Sequence, residues 1–308
     1  MATRKVDVLI AGGGPSGLSA ALVLGRARRS VLLIDDEKPR NAVVRQSHGF
    51  LTRDGIEPMK LRQLAREQIS QYDYVHFEQD CVESIEKAGK LFLASTRSGL
   101  AVYSRKVIIA TGMKDDLPDI PGLADAYGKS IFMCPYCDGY ELQSRPMAVF
   151  GQGENLVKFA SVIWNWSKDL IVFTNGDDHL SANQKKELDE HGIRIIETAI
   201  AGLMSEKGML KSVVLKNGEE IQREFGFIKN SGQHQSARLP DQLGIRLKNN
   251  GGYETLRHGL TEAAGLLVIG DAKNAFTSLI GAAGEGYEAG VALNDDMIQE
   301  DWEKSVKP

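Results

Sequence analysis

"VDVLIAGGGPSGLSAALVLGRARRSVLLIDDE", Val6 to Glu37, is the stretch on which the fold of this 308-residue chain turns. Val6 to Ile10 is an apolar run of strand length. Ser16 to Arg26 keeps small and apolar residues on a helical face, and Val31 to Ile34 is apolar again before stopping at Asp35 and Asp36. Strand, turn, helix and strand make a βαβ unit, with Gly12, Gly14 and Gly17 at the spacing GxGxxG in its turn. The first glycine permits a tight turn, the second lets backbone approach a pyrophosphate, and the third lets helix and strand pack closely. The phosphates then sit at a helix N-terminus, where free N–H groups and the dipole favour negative charge. Asp35 stands at the distance where an acid accepts from ribose hydroxyls, so a dinucleotide site is expected.

A second unit of this kind reads "PMAVFGQGENLVKFASVIWNWSKDLIVFTNGDD", with a strand at Met147 to Phe150, Gly151 and Gly153 in the turn, a helix, and a strand at Leu170 to Thr174. Two units suggest two dinucleotides. Between them, "RKVIIATGMKDDLPDIPG" gives a strand, Val107 to Ala110, then Thr111, Gly112 and a proline-containing loop that reads as a crossover out of the first domain. Near the C-terminus a strand at Leu266 to Ile269 runs into Gly270 and Asp271, and a small-residue helix follows from about Ile280 to Met297. Ile193 to Ile196 and Ser212 to Leu215 are strand-like, and "KNGE", Lys216 to Glu219, reads as a hairpin turn. The polar tail Glu300 to Pro308 is expected to fray.

The length suits two domains. With 42% hydrophobic residues, 25% charged residues and a net charge of -4, nothing draws the chain to nucleic acid or to an anionic membrane. Arg4 and Lys5 ahead of the apolar Val6 to Leu24 imitate a signal peptide, but the glycine pattern accounts for that stretch better. No segment approaches the ~20 apolar residues of a membrane span.

Of three cysteines, Cys81 is isolated, which excludes a secretory disulfide framework and points to a reducing, cytoplasmic setting. The other two lie in "FMCPYCDGYE", Phe132 to Glu141. Disulfide exchange needs a thiolate, and a CxxC at a helix N-terminus lowers cysteine pKa through the dipole and free N–H groups. Pro135 suits a first helical turn, and two intervening residues suit a small disulfide ring that opens and closes. The alternatives are half a zinc site, which lacks a second CxxC or HxxxH to complete four ligands, and inert packing; no metal is expected.

In their order along the chain, Gly12, Gly14, Gly17, "ATG" at Ala110 to Gly112, "CPYCDG" at Cys134 to Gly139, "GD" at Gly270 and Asp271, and "AAGEG" at Ala282 to Gly286 resemble the low-molecular-weight thioredoxin reductases among the flavin disulfide oxidoreductases. The resemblance implies an α/β protein of two Rossmann-like domains: a discontinuous FAD domain, 1–116 and 231–308, interrupted by a nicotinamide domain, 117–230, that carries the CxxC. It implies that Gly12, Gly14, Ser16, Gly17 and Asp35 hold the adenosine and pyrophosphate end of FAD. Gly112 and Gly270 would join that site, Asp271 would bond the ribityl chain or a phosphate, and Ala282 to Gly286 would pack near the flavin. Gly151 and Gly153 would serve NADPH or NADH. Cys137 would face the flavin, Cys134 would attack an external disulfide, and Asp138 would act as general acid/base, its pKa raised by burial; the alternative reading of Asp138 is a helix-cap acid. A thioredoxin-like protein or a small disulfide or dithiol is the implied partner, and a homodimer the implied assembly. Domain rotation in relatives makes Leu117 to Gly122 and Asn230 to Ala237 suitable hinges. His48, in "SHGF", reads as a surface or packing residue with a place near the flavin as the alternative, and Trp164 and Trp166 read as core or interface.

The second unit departs from the pattern. Leu156 stands where a small residue would let helix and strand approach, and Phe173 to Ser181, "FTNGDDHLS", has no arginine for a ribose 2′-phosphate and has Asp177 and Asp178 to repel one. NADH, NADPH held by other residues, or no nicotinamide remain as readings. The last opens a second function, a dithiol oxidase of the same scaffold that passes electrons to oxygen.

Overall fold

A computed structural model of the chain describes residues 2–153, 155–176, 179–229 and 232–305. It opens with β1 (Thr3–Ala11), α1 (Pro15–Arg26) and β2 (Val31–Asp35), followed by α2 (Pro58–Ile69) and β3 (Val75–Gln79). An antiparallel run β4 (Val82–Ala88), β5 (Leu91–Thr96) and β6 (Ala101–Ile109) leads into β7 (Met113–Asp116). Then come α3 (Leu123–Ala126), β8 (Ile131–Phe132), the four-residue α4 (Pro135–Asp138), β9 (Met147–Phe150), α5 (Leu156–Ile163), β10 (Leu170–Phe173), α6 (Ala182–Glu190) and β11 (Arg194–Ile196). β12 (Ile200–Glu206), β13 (Met209–Leu215), β14 (Glu220–Gln222), β15 (Phe225–Ile228) and β16 (Gly232–Gln235) precede β17 (Leu266–Val268), α7 (Asp271–Asn274) and α8 (Leu279–Ser305).

Packing divides these elements into two units, one of residues 2–42, 49–114 and 233–305, the other of Val43–His48 and Asp115–Gly232. In the first, the strand order is β3-β2-β1-β6-β5-β4. β6 forks: Ala101 to Ser104 pairs antiparallel with β5, whereas Val107 to Ile109 pairs parallel with β17. The sheet is covered on both faces. Val8 and Ile10 face Leu18 and Leu24 of α1 and Leu293 of α8, while Leu9 and Ala11 face Phe92, Leu239 and Tyr253. A strand buried on both sides has no polar alternation, which is why Val8 to Ala11 of β1 reads as an unbroken apolar run. α8 lies close against α1 because Gly286 has no side chain: a Cβ there would stand 2.0 Å from the Ser16 carbonyl oxygen.

α8 also corrects an expectation. The tail expected to fray continues as helix to Ser305, because its acids are held: Asp301 by Arg29 at 2.7 Å and Arg105 at 2.8 Å, and Glu300 by Arg105 at 2.7 Å and Lys106 at 2.6 Å.

The second unit is a parallel sheet, β11-β10-β9-β15-β8, with an antiparallel β12-β13-β14 sheet. The expected "KNGE" turn joins β13 to β14, where Leu215 N–H donates to Glu219 O at 2.8 Å. Val43 to His48, which the sequence division assigns to the first domain, packs instead as a strap of this unit. Val43 fits against Gly128, where a Cβ would meet Val43 Cγ2 at 2.7 Å, and Val44 joins the core around Phe132 and Val149.

Candidate redox and nucleotide sites

In an open α/β sheet, ligands bind beyond the carboxyl ends of the strands where the strand order switches direction. In the first unit that point lies between β1 and β6, so Gly12 follows one strand and Thr111 the other. Gly12 takes φ +108°, and a Cβ there would meet Ala110 O at 2.3 Å; a Cβ on Gly17 would meet Gly12 O at 2.0 Å. Gly14 is different. No atom lies within 4 Å of where its Cβ would stand, so its Cα faces open space at the start of α1, which has no side-chain cap and no acid in its first turn. The Thr111 hydroxyl is buried without a hydrogen-bond partner among the described residues. An open backbone cradle, uncapped helix N–H groups and a waiting hydroxyl fit a pyrophosphate and the body of a flavin dinucleotide.

The acids of this unit are already engaged. Asp35 accepts from Gly13 N at 2.8 Å and Glu37 N at 3.2 Å, and pairs with the buried Arg62 and with Arg66 at 3.3 Å. Its carboxylate therefore braces the glycine turn from below. Asp271 pairs with Arg40 at 2.8 Å and accepts from Thr277 N at 2.8 Å. Arg40 also donates to Ala275 O at 3.0 Å and to Gln233 Oε1 at 2.9 Å. Glu285, within "AAGEG", accepts from Gly270 N at 2.9 Å and from the Asn274 amide at 2.6 Å, which ties α8 to the turn after β17. Ser16 and Ala282 are buried and Gly112 takes φ +70°.

Arg62, Arg40 and Glu285 escaped the sequence reading. Arg62 and Arg40 carry no local signal, since their partners are 27 and 231 positions away. Glu285 lay inside a quoted motif.

In the second unit Cys134 and Cys137 form a disulfide with Cα atoms 5.2 Å apart. Cys134 is the N-cap of α4, and its carbonyl accepts from Cys137 N at 3.0 Å and Asp138 N at 3.3 Å. With a single turn behind it, the CxxC has local N–H donors but little of the macrodipole that a long helix supplies. The turn rests on Trp166. A Cβ on Gly139 would lie 2.8 Å from that indole, and Tyr136 meets it edge-on at 5.5 Å between ring centroids.

Asp138 is half-buried and directly follows the disulfide in the chain. Desolvation, then the charge of Glu141, raise its pKa from 3.8 to about 7, against a lowering by His48. His48 Nε2 lies 3.5 Å from Glu141 Oε1, so the histidine read as a packing residue belongs to this charged cluster. Among the described residues, no group of three or more His, Cys, Asp or Glu could hold a metal ion.

The second nucleotide turn is less open. Gly153, at φ +83°, has no atom within 4 Å of its Cβ position, and α5 lacks a side-chain cap. Leu156, however, is buried in the core, with its Cδ1 3.2 Å from where a Gly151 Cβ would be. The Gln152 amide donates to Thr174 O at 2.7 Å, across the ends of β9 and β10. Asn175 Oδ1 is committed to Ile200 N at 2.7 Å, and Lys185 pairs with Glu197. Asp177 and Asp178 lie outside the described residues. The segment after β10 has no arginine, and Asn175 and Lys185 beside it are each engaged with a neighbour.

A dinucleotide cradle in one unit and an exchangeable disulfide in the other define a dinucleotide-dependent disulfide oxidoreductase. The profile of the pyridine nucleotide-disulphide oxidoreductase family matches residues 6–286. A protein of Arthroderma benhamiae assigned as a thioredoxin reductase is 31% identical over 96% of this chain and 81% of its own. The thioredoxin reductase sirT of Leptosphaeria maculans is 30% identical, covering 96% and 95%. A Bacillus anthracis structure assigned as a thioredoxin reductase, TrxB, superposes with a TM-score of 0.92 at 36% identity, covering 96% of this chain and 99% of that one. The chain belongs to the pyridine nucleotide-disulphide oxidoreductase family and is a FAD-dependent disulfide oxidoreductase of the thioredoxin reductase type.

Proposed function

We propose that this chain carries two electrons from a reduced nicotinamide to an external disulfide, that of a thioredoxin-like protein or of a small molecule, through Cys134 and Cys137. FAD, held by Gly12, Gly14, Ser16, Gly17, Thr111, Gly112 and the Gly270 turn, supplies two-electron transfer when bound. The remaining chemistry belongs to the chain. The Cys134 thiolate attacks one sulfur of the external disulfide, whose S–S bond breaks as a mixed disulfide forms. The departing thiolate takes a proton from the Asp138 carboxyl. Cys137 passes its thiol proton to the Asp138 carboxylate and attacks the Cys134 sulfur, which releases the second thiolate and restores the Cys134–Cys137 bond. The observation that carries this reading is Asp138, half-buried next in the chain to the disulfide with a pKa raised to about 7, where a carboxyl can both give and take a proton.

NADH is the favoured donor on account of Asn175, Lys185 and the arginine-free segment after Phe173. Gln152 and Leu156 support a second reading, a dithiol oxidase that receives its electrons from a substrate dithiol, passes them to oxygen and uses no nicotinamide. A cytoplasmic homodimer completes the proposal. It is supported by the unpaired thiol of Cys81 and by the exposed Ile280, Tyr287, Val291, Ile298 and Trp302, which recur along α8 at helical spacing. Among the described residues no helix is long and apolar enough to cross a membrane.

Anaerobic titration of the FAD-loaded protein distinguishes the readings. Bleaching of the flavin by NADH, followed by reduction of an added disulfide, is the expected result. Bleaching by a dithiol but by neither NADH nor NADPH would overturn the reductase direction.

A further inference from the structure

Of the aromatic residues in the second unit, Tyr136 and Tyr140 alone are exposed among the described residues, at 80% and 71%. Both flank the disulfide. Tyr136 stands between the two cysteines, and Tyr140 follows Cys137 by three residues. The backbone stays helical through Gly139, whose N–H donates to Pro135 O at 2.8 Å. The two tyrosines are therefore four residues apart on helical geometry and project to the same side of the turn. Their rings are free but their backbone is fixed. The disulfide closes the chain around Tyr136, whose ring meets Trp166 edge-on. Tyr140 lies between Gly139, pressed against the same indole, and Leu142, buried in the core.

A lone exposed tyrosine is ordinary surface. For this pair, the reaction decides what covers it. Cys134 and Cys137 are half-buried, so an external disulfide approaches them over the surface of this turn, and the groups on its sulfurs come to rest beside the rings. Tyrosine offers a large, rigid contact at little cost in side-chain entropy, and its hydroxyl keeps the ring wettable between turnovers. We propose that Tyr136 and Tyr140 are specificity-determining residues, and that they select a small disulfide bearing a flat aromatic group on sulfur. The selection rests on the reading of Cys134 and Cys137 as the donor to an external disulfide. An aliphatic disulfide undergoes the same exchange but has no face to stack on the rings. A protein disulfide arrives with a contact of about 800 Å² on each partner, in which two rings are a small share. For a small aromatic disulfide they are a large one.

The FAD-loaded protein is reduced with dithiothreitol and desalted anaerobically. Each disulfide then takes two electrons and two protons from the Cys134 and Cys137 thiols and leaves as two thiols. The rate of protein oxidation, read by alkylating the thiols that remain, is measured with 2,2′-dithiodipyridine, which is flat, with bis(2-hydroxyethyl) disulfide, which is not, and with oxidised thioredoxin. Dividing each rate by that of the same disulfide with free dithiothreitol removes its intrinsic reactivity. In the native protein 2,2′-dithiodipyridine then leads bis(2-hydroxyethyl) disulfide by on the order of tenfold. Tyr136→Leu and Tyr140→Leu each lose about threefold of that lead, the double variant loses it all, and Tyr136→Phe and Tyr140→Phe keep it. A substitution that merely loosens the turn slows all three disulfides together and leaves their ratios alone, and that outcome overturns the proposal. So does a native protein with no lead, or a loss that falls on oxidised thioredoxin alone. If the reduced protein reacts with none of the three faster than dithiothreitol does, the reading of the cysteine pair fails, and the selection fails with it.

Discussion

Arg62 reaches from α2 to the Asp35 carboxylate beneath the glycine turn, and both side chains are less than one-tenth exposed. Removing one partner of a buried pair leaves the other charge without compensation, at a cost of about 3–5 kcal/mol. Arg62→Ala is expected at the low end of that range, since Arg66 remains at 3.3 Å. Urea denaturation measures the loss. Because Asp35 also accepts from Gly13 N, the variant should purify with less flavin, and added FAD should recover part of the stability.

Gly286→Ala places a methyl group 2.0 Å from a backbone oxygen of α1, which cannot rotate aside as a side chain could. Overpacking against backbone costs about 3 kcal/mol. Gly284, two residues earlier on the same helix, has nothing within 4 Å of its Cβ position, so Gly284→Ala should raise stability by about 0.5–1 kcal/mol through helix propensity. Thermal unfolding of the two variants should differ in sign.

Cys137→Ser is expected to abolish disulfide turnover and to leave flavin content unchanged, because the cradle for FAD lies in the other unit. Absorbance of the purified variant checks the second half. Loss of bound flavin would make Cys137 a structural residue.

Asp138 also imposes a pH dependence on stability in the disulfide-bonded form. Its pKa is raised from 3.8 to about 7 by burial first and Glu141 second, so between those values the native state keeps a proton that the unfolded chain has released. Stability then falls as pH rises through that window, the reverse of a salt-bridged carboxylate. Denaturation midpoints of the native protein and of Asp138→Asn, compared from about pH 4 to about pH 8, should converge at the acid end and separate at the alkaline end.

The parts of this molecule legible in its sequence are those whose causes are local. β1, α1 and β2 were legible because a strand buried on both faces, a glycine turn and a small-residue helix each leave a signature within a few residues. β4 was not. Its sequence, "VESIEKA", buries Val82 and Ile85 three apart, because a register shift between Val82 and Ser84 breaks the two-residue period on which strand reading depends. The CxxC was legible from its spacing, whereas the role expected of Asp138 came from the family resemblance. His48 was not, since only the seating of the strap against Gly128 carries it to Glu141, and nothing in "SHGF" encodes that meeting. The helical tail was misread for the same reason, because its acids look like solvated charges until Arg29, Arg105 and Lys106 are brought to them.

The fork in β6 bears on how the chain is made. Half of that strand waits for β17, which leaves the ribosome only after the whole of the second unit has been synthesised. The second unit's β8 to β15 run without interruption and can close while translation continues, whereas the side of α1 that meets α8 stays uncovered until α8 emerges. Flavin capture is therefore a late event in the life of the nascent chain. During that interval chaperones have one apolar side of α1 to protect, and a ribosome that stalls before Leu266 would leave the disulfide unit attached to an open sheet.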